Sequence, residues 1–309
     1  MQDQTRAIPS DASAATDRDS WLDLIDAIGE EAGYFQTVGR THWAMFADEG
    51  PTLIVSFETM AGARARPGQM PLAHGIARAQ GWSHLCLIAD ELPWFRDPAV
   101  YAFFDRLVDD AFFEDFDRVL FYGAGPAGYA ACAFAVCAPG TQVLALNPPA
   151  TLNPAQAGWD DRHRSARRLD FTSRFGFAPD MVDGAGHVTL IHDPRQRLDA
   201  MHAAMFHAPY VTTIPVRFAG SDVEAALTRM GILSDLVVEA AEGRLTAEGF
   251  ARAWRKRRSD QAWLKALQQA TVARPAREIM LCRNVVQRLN ATRFRKRLTE
   301  LTAKQDAAH

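Results

Sequence analysis

The sequence predicts an α/β fold: a three-layer structure with a mostly parallel, doubly wound sheet and helices on both faces. Short apolar runs alternate with helical stretches between positions 42 and 230. Most of those runs are near-continuously apolar, as strands covered on both faces are. With 309 residues and 48% hydrophobic composition, the chain can bury a sheet in one large domain or two small ones, and wholesale disorder is excluded.

The first element is a helix over 21–33, where Trp21, Leu22, Leu24, Ile25 and Ile28 form an apolar face and Ser20 can cap its start. Residues 1–19 lack the charged-then-apolar pattern of a signal peptide and predict a flexible polar leader. Strand-like runs follow at 42–47 (HWAMFA) and 52–58 (TLIVSFE), joined by Asp-Glu-Gly-Pro, a turn signal that suggests an antiparallel pair. Later strands fall at 84–90, 119–123, 142–147, 187–193 and 210–218. Between them the pattern places helices at 71–80, at 98–112 with Asp97 as N-cap, at 126–136, at 160–175, at 195–206 and from 222 onward.

In such sheets function gathers at the carboxyl ends of the strands. Those ends hold Glu58, Thr59 and Met60, Asp90 and Glu91, the Gly123–Gly128 turn with Ala124 and Pro126, Asn147, His192 with Asp193, and Gly220-Ser221-Asp222. The turn is the best-marked site: a strand, Gly-Ala-Gly-Pro-Ala-Gly, and a helix rich in small residues.

Two chemistries fit that turn. Gly123, Gly125 and Gly128 satisfy G-x-G-x-x-G, which lets a pyrophosphate approach a helix N-terminus and implies FAD or NAD in a Rossmann-type oxidoreductase. The acidic residue such a site wants after the next strand is replaced by Asn147. The second chemistry is that of a nucleophile elbow, G-x-S-x-G, on the same strand-to-helix turn. From about Thr52 to Gly231 the chain resembles bacterial α/β-hydrolase relatives with an elbow like Gly-Ser-Ser-x-Gly-Gly-Tyr-Ala-Ala. The resemblance implies an α/β-hydrolase-like fold in which Gly125 takes the nucleophile position, Asp193 the acid and Ser221 the histidine. Glycine has no nucleophilic atom, serine is no proton shuttle near neutral pH, and Pro126 lacks the N–H that an oxyanion hole uses. The expected protein is a degenerate hydrolase, without cofactor, whose old pocket binds a small molecule or supports assembly. The family it resembles also carries the label phosphoadenosine phosphosulfate reductase; the Ser-Gly-Gly loop and Glu-Cys-Gly segment of that enzyme do not occur here.

Asp193 can equally N-cap a helix begun by Pro194, and Asp199 with His202 can line a polar wall on the next helix. Trp94, Arg96 and Asp97 follow a strand end, where they can join Asp90 and Glu91 at the mouth of the site or simply form a charged loop. Residues 151–185 sit where hydrolases insert a cap, and Arg162, Arg164, Arg167 and Arg168 there suit an anion or a solvated helix face.

Charge divides the chain into a body, 20–246, and a basic helical extension, 247–309. Residues 1–246 hold 19 Lys+Arg against 32 Asp+Glu, a balance of −13; residues 247–297 hold 14 against 3, or +11. That opposition predicts docking of the extension on an acidic body, its own or that of another copy, ahead of nucleic-acid binding. No apolar run reaches the roughly 18 residues of a membrane span. Cys86, Cys132, Cys137 and Cys282 form no CxxC pair, so no zinc or disulfide framework is expected. These features point to the cytoplasm.

Overall fold

The computed structural model describes residues 10–91 and 94–306. Nine leader positions, 1–9, therefore lie outside the described residues, as do Leu92 and Pro93. The chain divides into two compact units, with the boundary after Ala247.

The first unit is built on an eight-stranded sheet in the order β1-β2-β4-β3-β5-β6-β7-β8. Its strands are β1 (Gly33–Val38), β2 (His42–Ala47), β3 (Thr52–Thr59), β4 (Ser83–Ala89), β5 (Arg118–Ala124), β6 (Gln142–Leu146), β7 (His187–His192) and β8 (Val211–Pro215). β1 and β2 are antiparallel, β2 is antiparallel to β4, and every pair from β4 to β8 is parallel. This is the expected α/β-hydrolase-like architecture, and a helical region follows it. One expected pairing is corrected: the runs at 42–47 and 52–58 are not neighbours, because β4 inserts between them.

Side chains on alternate positions of each strand enter two cores. Leu53, Val55 and Phe57 of β3 join Leu85 and Leu87 of β4 beneath α4 (Pro98–Asp109) and α5 (Pro126–Phe134). Cys86 and Ile88 face the other way, with Trp21 and Ile25 of α1 (Arg18–Ala32) and Met60 of α2 (Met60–Arg64). α3 (Leu72–Gln80) covers β3 and β4. Between β6 and β7 the chain forms only short turns of helix, α6 (Pro154–Ala157) and α7 (Ala178–Met181). α8 (Arg197–Ala203), α9 (Val223–Arg229) and α10 (Leu233–Ala241) complete the unit.

Three local expectations change. α1 begins at Arg18, and its cap is Asp17, whose carboxylate accepts from Ser20 N while Ser20 closes a capping box. Residues 10–17 are not a free leader: Ala12 is fully buried and its N–H donates to Gly68 O at 2.9 Å. The helix expected over 160–175 is absent save for one 3-10 turn at Arg164–Arg168, because Asp160 is drawn into a buried ionic cluster described below.

The second unit is helical: α11 (Ala247–Ala253), α12 (Gln261–Thr271), α13 (Pro275–Leu289) and α14 (Thr292–Asp306). Leu264, Ile279, Cys282, Val285, Phe294 and Leu301 form its core. Fully buried Glu278 accepts from Arg297 Nε at 2.7 Å and from Gln268 Nε2 at 3.2 Å, so the carboxylate is partnered where it is desolvated.

Candidate functional site

The turn at the end of β5 is sharp. β5 closes at Ala124, α5 opens at Pro126, and Gly125 alone makes the corner with φ +56 and ψ −128. An L side chain rarely adopts that conformation, which costs about 1–3 kcal/mol where it occurs. Gly123 is required for a different reason. A Cβ there would run into the Ala127 carbonyl, since the first turn of α5 folds back over the end of β5.

At Gly125 itself the space is open. A Cβ would meet nothing nearer than Asn147 Nδ2 at 4.0 Å. The corner is thus strained and roomy, and no side chain stands in it. Pro126 sits at the first helical position and donates nothing.

Several of the other candidate positions spend their side chains on nearby backbone, and Asn147 and Asp193 tie the corner region to the Gly220–Ser221 backbone. Asn147 has φ +39 at the end of β6 and donates from Nδ2 to the Ser221 carbonyl at 3.2 Å. Asp193 is 1% exposed; its Oδ1 accepts from Arg195 N and its Oδ2 from Gly220 N, both at 2.9 Å. The acid therefore holds the backbone immediately before Ser221. It does not cap α8, which begins at Arg197 after a Gln196 N-cap. Asp222 does cap α9, accepting from Ala225 N at 2.9 Å. Thr59 Oγ1 accepts from Gly62 N at 3.0 Å to start α2, and Met60 is buried in the α1-side core. Ala124 is the last residue of β5, and Gly128 packs against the carbonyls of Gly123 and Leu146.

His192 is the exception. It is buried, its Nδ1 has no hydrogen-bond partner among the described residues, and burial holds its pKa below the usual value against the pull of Asp199 and Asp193. Asp90 turns elsewhere: it pairs with Arg18 at 3.1 Å, and its N–H donates to Thr41 O. Glu91 is exposed on the same loop. Arg96 is buried and donates to the carbonyls of Asp170 and Arg174, which makes it a clasp for the 170–174 loop.

Two buried ionic groups flank the corner, and their partners meet only through the topology. In the first, Arg162 bridges Asp160 at 2.8 Å and Asp199 at 2.5 Å. His202 accepts from Ala150 N at Nδ1, so Nε2 carries the proton and donates to Asp160 Oδ2 at 2.9 Å. Burial alone would raise the Asp160 carboxyl, yet its bonds with Arg162 and His202 hold it well below the usual range. With both ring nitrogens engaged, His202 is a strut that ties the Ala150 backbone and Asp160 to α8. Arg164 pairs with Asp161 and Arg167 donates to the Gly158 carbonyl. Of the four arginines weighed for an anion, three are thus already occupied.

In the second group, Glu58 at the end of β3 accepts from Leu72 N at 2.6 Å and pairs with Arg66. Arg66 also reaches Glu224 of α9 at 3.5 Å, and Tyr122 of β5 donates to Glu224 at 2.5 Å. Burial pushes Glu58 up to about 7, with Arg66 opposing. Beside this group lies a cleft of about 820 Å³ whose wall includes Arg66, Leu72, Asp222, Glu224 and Thr228. The clefts of about 600 and 340 Å³ lie at the opposite, amino-terminal edge of the sheet, with no residue of the corner in their walls.

No protein-family model matches the chain, and no curated protein does. Among solved structures it is similar to carboxyl esterase 2 of the mycorrhizal fungus Tuber melanosporum, at 12% identity and a TM-score of 0.45, over 68% of this chain and 86% of that one. It is also similar to the capsule O-acetyltransferase of Neisseria meningitidis serogroup A, at 10% identity and TM-score 0.39, over 65% and 94%. A third is the esterase domain of a Rhodothermus marinus protein, at 19% identity and TM-score 0.37, over 60% and 92%. These are likenesses of fold.

Proposed function

We propose that this chain is a non-hydrolytic α/β-hydrolase-like protein whose vestigial site binds a small molecule or supports assembly. One observation carries the reading: the elbow conformation persists at a residue with no side chain, Gly125 at φ +56 and ψ −128. Around it Pro126 supplies no oxyanion donor, and Ser221 offers its carbonyl to Asn147. Asp193 is spent on two backbone N–H groups. Acyl transfer needs a nucleophile, a base and a charge-stabilising pocket held together, and here Gly125 has no side chain, Pro126 has no N–H and Asp193 is bonded to backbone. The cleft of about 820 Å³ lined by Asp222 is a concavity on the same edge of the sheet, and it gives a ligand somewhere to sit.

Turnover of p-nitrophenyl acyl esters tests the reading. Purified protein should release p-nitrophenol no faster than buffer from pH 6 to pH 9. A saturable rate above buffer, abolished by substitution at Ser221 or Asp193, would contradict it. Purified protein should also be colourless, because the reading assigns no flavin to Gly123, Gly125 and Gly128.

A further inference from the structure

The amino-terminal edge of the first unit's sheet carries a cleft of about 600 Å³, floored by Leu107, Phe113, Phe116 and Val119. Val108 in its wall is 48% exposed, and Val136, beside the wall residue Cys137, is 38% exposed. These are the exposed large apolar side chains of the first unit among its described residues. The rim is acidic: residues 105–118 hold six carboxylates against two arginines, and Glu114 and Asp117 stand in the wall. Arg118 also lines the cleft, but carboxylates outnumber cations around it, and apolar surface left in water inside a predominantly acidic rim marks a contact surface.

The second unit carries the inverse. Its exposed large apolar side chains are Val272 and Met280, the latter 69% exposed on α13. Arg277 and Arg283 lie three residues to either side of Met280, so helical spacing puts all three on one face. Neither arginine makes an ion pair among the described residues.

We propose that these two surfaces are the two halves of one head-to-tail contact between copies of this chain. Met280 of one copy enters the cleft at Val108 of a second, and Arg277 and Arg283 meet the carboxylates of Glu114 and Asp117. The complementarity is double, acidic around apolar against basic around apolar. An unbranched methionine suits an irregular cleft walled by Phe113 and Phe116, where sulfur–ring contacts are favourable. Burial of apolar surface holds the contact, and the charges set its orientation. Because the two surfaces differ, each copy keeps one free face, and the contact propagates into a ring or an open chain. The cleft lies at the opposite edge of the sheet from Gly125, so this contact does not depend on the reading of that site.

Sedimentation of the full chain decides the matter. Mass should rise with concentration between about 1 and 100 µM, the range expected of a small interface. Val108→Asp and Met280→Asp should each weaken association by about tenfold or more, the scale of one buried apolar side chain. The mixture of the two variants is the sharper arm. Each retains the face the other lacks, so together they should form a one-to-one dimer that grows no further. Both positions are exposed, and unchanged circular dichroism of each variant would show that folding is intact. A wild type that stays monomeric across the range would overturn the proposal, whether one chain satisfies both faces or neither is used. Association unaffected by either substitution, or a mixture that stays monomeric, would overturn it too.

Discussion

The two edges of the sheet differ in what they leave unsatisfied. At the carboxyl edge, Thr59, Asn147, Asp193 and Asp222 each spend their side chain on a backbone group. At the amino edge, Val108 and Val136 stand in water within reach of an acidic rim. A hydrolase fold ordinarily concentrates its reactive groups at the carboxyl edge. Here that edge has a strained backbone at Gly125, and its polar positions serve as caps and struts. On the proposed reading, the geometry of such a turn and its chemistry are separable. The geometry is fixed by Gly123 and by the return of α5 over β5, whatever stands at position 125.

That comparison can be broken by substitution. The largest effect is expected at Gly123, where any Cβ meets the Ala127 carbonyl and the backbone itself must shift. Gly123→Val should destabilise by about 3–5 kcal/mol, the range of severe core substitutions, or prevent folding. A melt close to wild type would show that the corner is not held as described.

Next is the pH response of Glu58. Its folded pKa, about 7, lies above the ordinary 4.5. Between those values the folded state keeps a proton that the unfolded state has lost, so stability should fall as pH rises from about 4.5 to about 7. The effect is of order 1–3 kcal/mol, given the buried position and the coupling to Arg66. Glu58→Gln should flatten that part of the stability–pH profile. A variant that keeps the wild-type slope would remove Glu58 as its source.

Gly125→Ser and Gly125→Val separate strain from space. Both should lose about 1–3 kcal/mol, because φ +56 with ψ −128 suits glycine, yet both should fold, since nothing crowds the position. The serine variant should remain inactive on p-nitrophenyl esters, with no histidine at 221 and no N–H at 126. A melt unchanged by either substitution would mean that the corner is unstrained. Smallest is the amino edge: Val108→Asp should shift the thermal melt by no more than about 0.5 kcal/mol, as exposed substitutions do. A large loss there would make Val108 part of the core and erase the contrast between the edges.

Much of the fold was legible because strands covered on both faces announce themselves. β3 to β7 fall on the expected apolar runs, and Asp97 caps the helix that follows it, as expected. β1 escaped because it is an edge strand in which only Val38 is buried, and it begins at the glycine where the preceding helical pattern stops. The 160–175 stretch misled because its local pattern is helical, whereas the pull on it is tertiary: Asp160 is buried against Arg162 and His202. Of the site, the corner itself was legible from strand, glycines and proline in order. The Glu58–Arg66–Glu224–Tyr122 group was not, because its members are up to 166 positions apart in the chain and meet only when β3, β5 and α9 are assembled.

On the proposed reading, the corner at Gly125 holds no activated nucleophile. Intact-protein mass after exposure to a fluorophosphonate reagent tests it most directly, since such reagents trap an activated serine without needing the right substrate. An unmodified mass is expected after a reaction time that fully labels a serine esterase run alongside. A stoichiometric single adduct, mapped by peptide sequencing to Ser221 or to any other serine, would contradict it.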